Sequence, residues 1–379
     1  MSDFLPRDVF IDVLTRLPIR TLVRCACVCK SWYSLLTNPN FITTHLNADN
    51  NDNLLLIRRR SGDDGNVVHY SLLLCKNEMF CDYAELELPL KTHSDPFLRI
   101  IGCCNGLVCL YNDLHNSQEE LYLWNPSIQN TLALPPLQNL QVKFRSDNLV
   151  NHSIGFGFDS VTDDYKVVRI VYLNGPSSFR TPPEIGIFSL STGTWRNISH
   201  LGLPYTIYER APQAYLNGAA HWLAWDWRRR SNLIVSFHMG DEVFGEIMVP
   251  SSIFCDYVEK SVCVAKFQES LSLIAGISGE DTCCIWVMKE YGISESWTKQ
   301  FNIDTKRGSF NSVAGFTRKG EILFGTNAGN LVAYDLVAKQ VMRLHIHGCT
   351  DPWSGDSFYA DAYTESLVLL GAKFRDSHL

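Results

Sequence analysis

From Pro6 to Leu17 apolar residues return every three or four positions. With successive residues about 100° apart around a helix axis, Val9, Val13, Leu17, Phe10 and Leu14 cover an arc of roughly 140°, and Ile11 widens it to roughly 200°. Asp8, Asp12, Thr15 and Arg16 fill the remainder. A surface helix needs only about 100° of apolar face, so this one has enough for two surfaces. Pro6 stands where a first helical turn tolerates it, and Leu17-Pro18 ends the helix. Two more helical stretches follow. "IRTLVRCACV" carries Leu22, Val23, Cys25, Ala26 and Val28, and "CKSWYSLLT" carries Trp32, Tyr33, Leu35 and Leu36. "NPNF" at Asn38 turns into a short helix through His45, and "NADNNDN" at Asn47 reads as a polar linker.

The pattern therefore predicts an all-helical unit over residues 1–46, a linker over 47–53, and a different texture from 54 to 379. A unit this small is near the size below which a domain needs outside help to fold. It can serve as a helical cap docked on the rest of the chain, or its surplus apolar face can dock a partner protein, helix in groove.

Beyond the linker, runs are short, β-branched and aromatic, with turn residues between them. Similar units begin at Leu121 ("LYLWNPSIQNTLALPP"), Ile185, Leu233, Cys284 and Asn330, spaced by 64, 48, 51 and 46 residues. Each is an apolar strand, a polar turn and a returning strand that often holds Trp. Other strand pairs lie between them: "IIGCCNGLVCLY" and "AYLNGAAHWLAW" turn on Asn-Gly, and "GFGFDSVTDDYKVVRIVY" on an Asp-rich stretch. A period near 50 residues with about four strands per unit predicts kelch-like propeller blades, six or seven of them over the 329 residues from Asn51 to Leu379. An irregular β-sandwich is the alternative. The fold class is thus α+β and multidomain, a small all-α unit followed by an all-β propeller.

Charge narrows the function. The chain carries a net charge of −7. Five basic and three acidic residues before Asn47 give the helical unit +2 and leave −9 for the rest. Nucleic acid and anionic membrane are poor partners for such a balance. The opening "MSDFLPRDVF" lacks the apolar run of a signal peptide, and no stretch reaches a membrane-spanning length. Thirteen cysteines, an odd number with adjacent pairs at Cys103-Cys104 and Cys283-Cys284, read as reduced thiols of a cytoplasmic or nuclear protein. "NHS" at Asn151 and "NIS" at Asn197 match the glycosylation pattern but stay unmodified without secretion.

No catalytic constellation emerges, and no cofactor or metal is expected. "GFGFDS" at Gly155 lacks the third glycine of a dinucleotide loop, and there is no phosphate-cradling Walker loop. The "CACVC" at Cys25 diverges along a helix, and the "HIH" at His345 puts two imidazoles on one strand face without a third ligand nearby. Asp163-Asp164 reads as a hairpin turn, and "RRRSGDDG" at Arg58 as a solvated hairpin tip. "HWLAWDWRRRS" is the candidate binding patch: Trp225 and Trp227 share a strand face and lead into Arg228, Arg229 and Arg230, residue types that interfaces enrich. A blade core followed by a charged loop is its plainer explanation.

The residues also carry a resemblance. "LPRDVFIDVLTRLPIRTLVRCACVCKSWYSLL" resembles an F-box, with its opening Leu-Pro, a second Leu-Pro a dozen residues on, "LVR" and the closing "VCKSW". Cys25 and Cys29 stand where relatives more often carry Phe and Ser. "GCCNGLVCLY", "LWNPSIQNTLALPP", "GFGFDSVTDDYKVVRI" and "LNGAAHWLAW" resemble the successive motifs of the kelch-like, type 1 F-box-associated domain of plant F-box proteins. Pollen S-locus F-box proteins and regulators of immune-receptor turnover are among the members it resembles. The resemblance implies a substrate-recognition subunit of a Skp-cullin-F-box ubiquitin ligase. Its helical unit would bind a Skp-family adaptor, and through it a cullin, by way of Leu5, Pro6, Val9, Leu14, Leu17, Pro18, Leu22, Val28 and Trp32. Its body would hold an unidentified protein substrate, and the chain itself would catalyse nothing. A propeller-borne enzyme and a freestanding propeller scaffold are the competing readings.

Overall fold

The computed structural model describes residues 6–48, 54–61, 67–76, 79–88, 98–112, 120–137, 149–174, 182–208, 213–256, 262–276, 282–349 and 357–369. Four helices open it: α1 (Arg7–Thr15), α2 (Ile19–Ala26), α3 (Lys30–Leu36) and α4 (Pro39–Asn47). Prolines set three of their starts. Pro6 and Pro18 are N-caps with extended backbone, and Pro39 is the first helical residue of α4, where its missing N–H costs nothing. The Asn38 side chain caps α4 by accepting from the Asn40 N–H at 2.9 Å. Helix α2 is shorter than its apolar pattern. The N–H groups of Cys27 and Val28 reach back only three residues, to Arg24 and Cys25, so the last turn tightens and stops. Val28 consequently lies in the turn rather than on the helix.

Six β-sheets follow, the blades of a six-blade β-propeller. The first takes β1 (Leu54–Ser61), β2 (Val67–Lys76) and β3 (Met79–Leu86). The second has β4 (Leu98–Cys104), β5 (Leu107–Asn112), β6 (Leu121–Asn125) and β7 (Asn130–Ala133). The third has β8 (Leu149–Asp159), β9 (Asp164–Asn174), β10 (Glu184–Ser189) and β11 (Thr194–Asn197). The fourth has β12 (Tyr205–Ile207), β13 (Ala214–Leu216), β14 (Ala219–Asp226), β15 (Ser231–His238) and β16 (Val243–Met248). The fifth has β17 (Val262–Phe267), β18 (Ser270–Ala275), β19 (Thr282–Met288) and β20 (Trp297–Asp304). The sixth has β21 (Phe310–Phe316), β22 (Ile322–Thr326), β23 (Asn330–Asp335) and β24 (Gln340–His347). A last strand, β25 (Phe358–Tyr363), returns to the first sheet beside β1.

The five repeats seen in the sequence are the third and fourth strands of sheets two to six: β6–β7, β10–β11, β15–β16, β19–β20 and β23–β24. The sixth such hairpin, β2–β3, is not among them; its strands pair from Tyr70 with Leu86 to Lys76 with Met79, with a register shift at Leu72/Leu73. The two Asn-Gly pairs turn as read. Asn105 and Gly106 have φ of 49° and 80°, Asn217 and Gly218 of 50° and 74°, the left-handed pair that a two-residue hairpin demands. Arg58 departs from expectation. Strand β1 continues to Ser61, so Arg58 is buried in mid-strand beside Tyr70 and is no hairpin tip. The turn itself lies outside the described residues.

The chain divides into two compact units, one of Met1–Arg58, His69–Leu134 and Asp361–Leu379, the other of Arg59–Val68 and Pro135–Ala360. In the first, the helices bury Leu14, Ile19, Leu22, Ala26, Leu36 and Phe41 together with Leu367, and Ile128 packs against the same cluster. In the second, Trp222, Val235 and Phe237 of the fourth sheet join Val168, Ile170 and Ile187 of the third in one core. Two side chains guard the β8 edge there. Gln213 exchanges two hydrogen bonds with the Phe156 backbone (2.8 and 2.9 Å), and the Tyr215 hydroxyl exchanges two with Phe158 (3.0 and 2.5 Å). An edge that would otherwise offer free N–H and C=O groups is thereby occupied.

Candidate partner-binding surfaces

The helical unit has a filled core and still shows apolar side chains to solvent. Val9 and Val13, one turn apart on α1, are 45% and 49% exposed, Val28 is 72% exposed, and Tyr33 on α3 is exposed as well. On the other side of α1, Leu14 is buried and Phe10 meets the Trp32 ring edge-on at 5.3 Å. The wide apolar arc of α1 is thus split between an inward and an outward face. Of the residues expected at a partner surface, Pro6, Val9, Pro18 and Val28 are exposed, Leu17 and Trp32 are half-buried, and Leu14 and Leu22 belong to the core. Leu5 lies outside the described residues. The Leu17 carbonyl accepts a 3.0 Å hydrogen bond from His45 Nε2, which ties α4 to the break between α1 and α2.

The helices are seated on the second sheet by the end of the chain. Asn125, fully buried, donates to the carbonyls of Ser366 and Val368 at 3.0 and 2.7 Å, and Asn130 donates to that of Leu369 at 3.1 Å. The Tyr363 hydroxyl donates to the Gly106 carbonyl at 3.2 Å and pairs with Ser127 Oγ at 2.8 Å. Gly106 has no room for a Cβ, which would stand 2.3 Å from Ser366 Oγ. Leu367, held within this strap, is the side chain that enters the helical core. Sequence reading had no signal for this contact, because Asn125 and Ser366 are 241 residues apart.

The second surface is the β14–β15 hairpin end. Trp222 goes into the core, whereas Trp225 is half-buried and Trp227 is 49% exposed. The indoles of Trp225 and Trp227 meet edge-to-face at 6.2 Å, and Trp227 Nε1 donates to Thr206 Oγ1 at 2.9 Å. Trp227 lies in the turn beyond β14 rather than on the strand. Beneath the turn, buried Asp226 accepts the Arg228 N–H at 2.8 Å and faces Arg229 Nε at 3.7 Å. Arg229 also pairs with Glu246 at 2.9 Å, and Glu246 accepts from the Tyr205 hydroxyl. Arg229 and Tyr205 together hold the Glu246 carboxyl below its usual range. Arg228 sits 5.9 Å over the Tyr205 ring. The structure thus brings together Trp225, Trp227, Arg228 and Arg229, leaves Arg230 exposed at the end of the turn, and adds Tyr205, Thr206 and Glu246. Those three arrive through strand pairing of β12 with β14 and β15 with β16.

Among the described residues no group of three or more His, Cys, Asp or Glu side chains is placed to hold a metal ion, and His345 and His347 are both exposed on β24. No helix among them is long and apolar enough to cross a membrane.

Comparison with known proteins agrees with this two-part architecture. Residues 3–44 match the F-box domain and residues 56–366 the F-box associated beta propeller domain. F-box protein At3g07870 of Arabidopsis thaliana is 30% identical, over 91% of this chain and 88% of its own. F-box protein CPR1 of the same plant is 28% identical, over 96% and 89%. F-box/kelch-repeat protein At3g23880, also from Arabidopsis thaliana, is 27% identical over 79% of each chain. The propeller match spans most of the chain and the F-box match covers α1 to α3 and the larger part of α4, so this chain belongs to the plant F-box proteins that carry an F-box associated β-propeller domain.

Proposed function

We propose that the protein is the substrate-recognition subunit of a Skp-cullin-F-box ubiquitin ligase. The helical unit docks a Skp-family adaptor and, through it, a cullin. The propeller holds a target protein within reach of ubiquitin transfer carried out by other subunits, so the chain makes and breaks no covalent bond and works in the cytoplasm or nucleus. The observation that carries this reading is the exposure of Val9 and Val13, one turn apart on α1, and of Val28 and Tyr33 on the same unit, outside a core built by other residues. Solvent-exposed apolar groups gathered on one small domain gain roughly 25 cal/mol per Å² when a partner covers them, and the fold itself does not use them.

The test is capture of a purified Skp-family adaptor by the full chain, compared with Val9→Asp/Val13→Asp. Both residues are exposed, so the variant should melt within a few degrees of the parent while its affinity for the adaptor falls by about a hundredfold, two hot-spot contacts' worth. Unchanged affinity would overturn the proposal. Leu14 is unsuited to this test despite its place in the F-box pattern, because a polar group there would empty the core rather than the interface.

A further inference from the structure

We infer that the β14–β15 hairpin end is the docking site for an acidic, extended segment of the target protein, one that presents carboxylates and apolar side chains in turn along a single face. This rests on the substrate-receptor reading and names the chemistry of what is received.

The two halves of the site offer different things. Trp227 already has a partner for its only polar atom, the Thr206 hydroxyl, so what it shows to solvent is ring surface backed edge-on by Trp225. Such a ring takes an apolar side chain without stranding a donor. On the arginine side the nearby acids are committed. Asp226 is buried under the turn and bonded to backbone, while Glu246 is shared by Arg229 and Tyr205. Arg228 keeps only a 3.8 Å approach to Asp226 with its side chain 67% exposed, and exposed Arg230 has no acid partner among the described residues. Three arginines against two acids leave a positive turn on a chain whose net charge is −7. Guanidinium forks match carboxylates two bonds at a time, and Trp and Arg are the residues that dominate binding energy at interfaces. Apolar matter for the ring and carboxylates for the forks is what an extended segment supplies when a glutamate and an apolar residue stand two positions apart, since such residues share a face.

The probe is a fluorescein-labelled peptide of repeated Glu-Ser-Leu-Ser, which puts glutamate and leucine on one extended face, titrated with the full chain and followed by anisotropy. It should bind more tightly than its lysine–leucine counterpart. Arg228→Glu/Arg230→Glu should weaken it by about a hundredfold and Trp227→Ala by about tenfold, each variant assayed well below its own thermal midpoint so that the lost Thr206, Trp225 and Tyr205 contacts do not enter the reading. No binding by the parent, equal binding by the charge-reversed variant, or binding only when the glutamates are replaced by phosphoserine would each overturn the proposal. Adaptor capture is measured on the same variants. Its retention beside lost peptide binding separates this surface from the adaptor face, and loss of adaptor capture by the parent protein with peptide binding intact would sink the ligase reading alone.

Discussion

The two surfaces are built on opposite plans. On the helical unit, apolar side chains stand exposed above a core of other apolar residues. At the hairpin end, every exposed aromatic and most of the charges are already held: Trp227 by Thr206, Arg229 by Glu246, Asp226 by the turn backbone. The first plan gets its free energy from area covered and suits a partner that is always the same. The second gets direction from exposed guanidinium forks beside one anchored ring, and suits discrimination among partners. The difference also separates what can be mutated. Changes at exposed Val13 should cost folding little, whereas changes at buried Leu14, one position away, should cost it much.

The largest effect should come from breaking that inward face. Leu22 is 0% exposed, and Leu22→Asp buries a carboxylate in the small core it shares with Leu367. A loss of about 4 kcal/mol or more is expected, seen in urea denaturation as early melting of the helices while the strand signal persists. Leu367→Asp, in the C-terminal strap, should reproduce the same early transition. If the helices melt normally in it, the strap does not seat them.

The next effect concerns the sheet that carries the arginine turn. His221 is fully buried, and burial pushes its imidazole down to about 4, although carbonyls of Ala214 and Ala219 favour the charged form. Its folded value lies below the unfolded one of about 6.5, so the unfolded chain binds the extra proton between them. Its contribution is complete above pH 6.5 and is lost as the pH falls toward 4, to a limit of about 3 kcal/mol. The thermal midpoint should drop over that window, and His221→Gln should flatten the dependence. A parallel decline in both proteins would assign the acid sensitivity elsewhere.

The smallest effect sharpens the comparison most. Raising salt from 0.05 to 0.5 M, an order-of-magnitude screen of exposed charge, should weaken the acidic peptide severalfold and leave adaptor affinity almost unchanged. Equal salt dependence at the two surfaces would erase the distinction between them.

Much of the architecture was legible in local patterns. The four helices, the hairpin repeats and both Asn-Gly turns follow from periodicity and turn chemistry, which act over a few residues. The blade number needed pairing, because 329 residues at a period near 50 accommodate six or seven and only the return of β25 to β1 closes the count at six. The partner surfaces were half legible. Arg228, Arg229 and Arg230 announce themselves as a run, but Thr206 and Glu246 reach them only through register. For α1, the width of the apolar arc implied two faces without saying which residue served which.

What the sequence by itself determined is thus the set of elements and the presence of surplus apolar surface, since helix periodicity, prolines and hairpin turns are local properties of the chain. Only the tertiary structure decided that Leu14 and Leu22 face inward while Val9, Val13 and Val28 face outward, that Arg58 is buried, and that residues 241 apart clamp the helices to the second sheet. Those outcomes depend on which surfaces meet, and that is set by long-range packing of many side chains at once rather than by any neighbour along the chain.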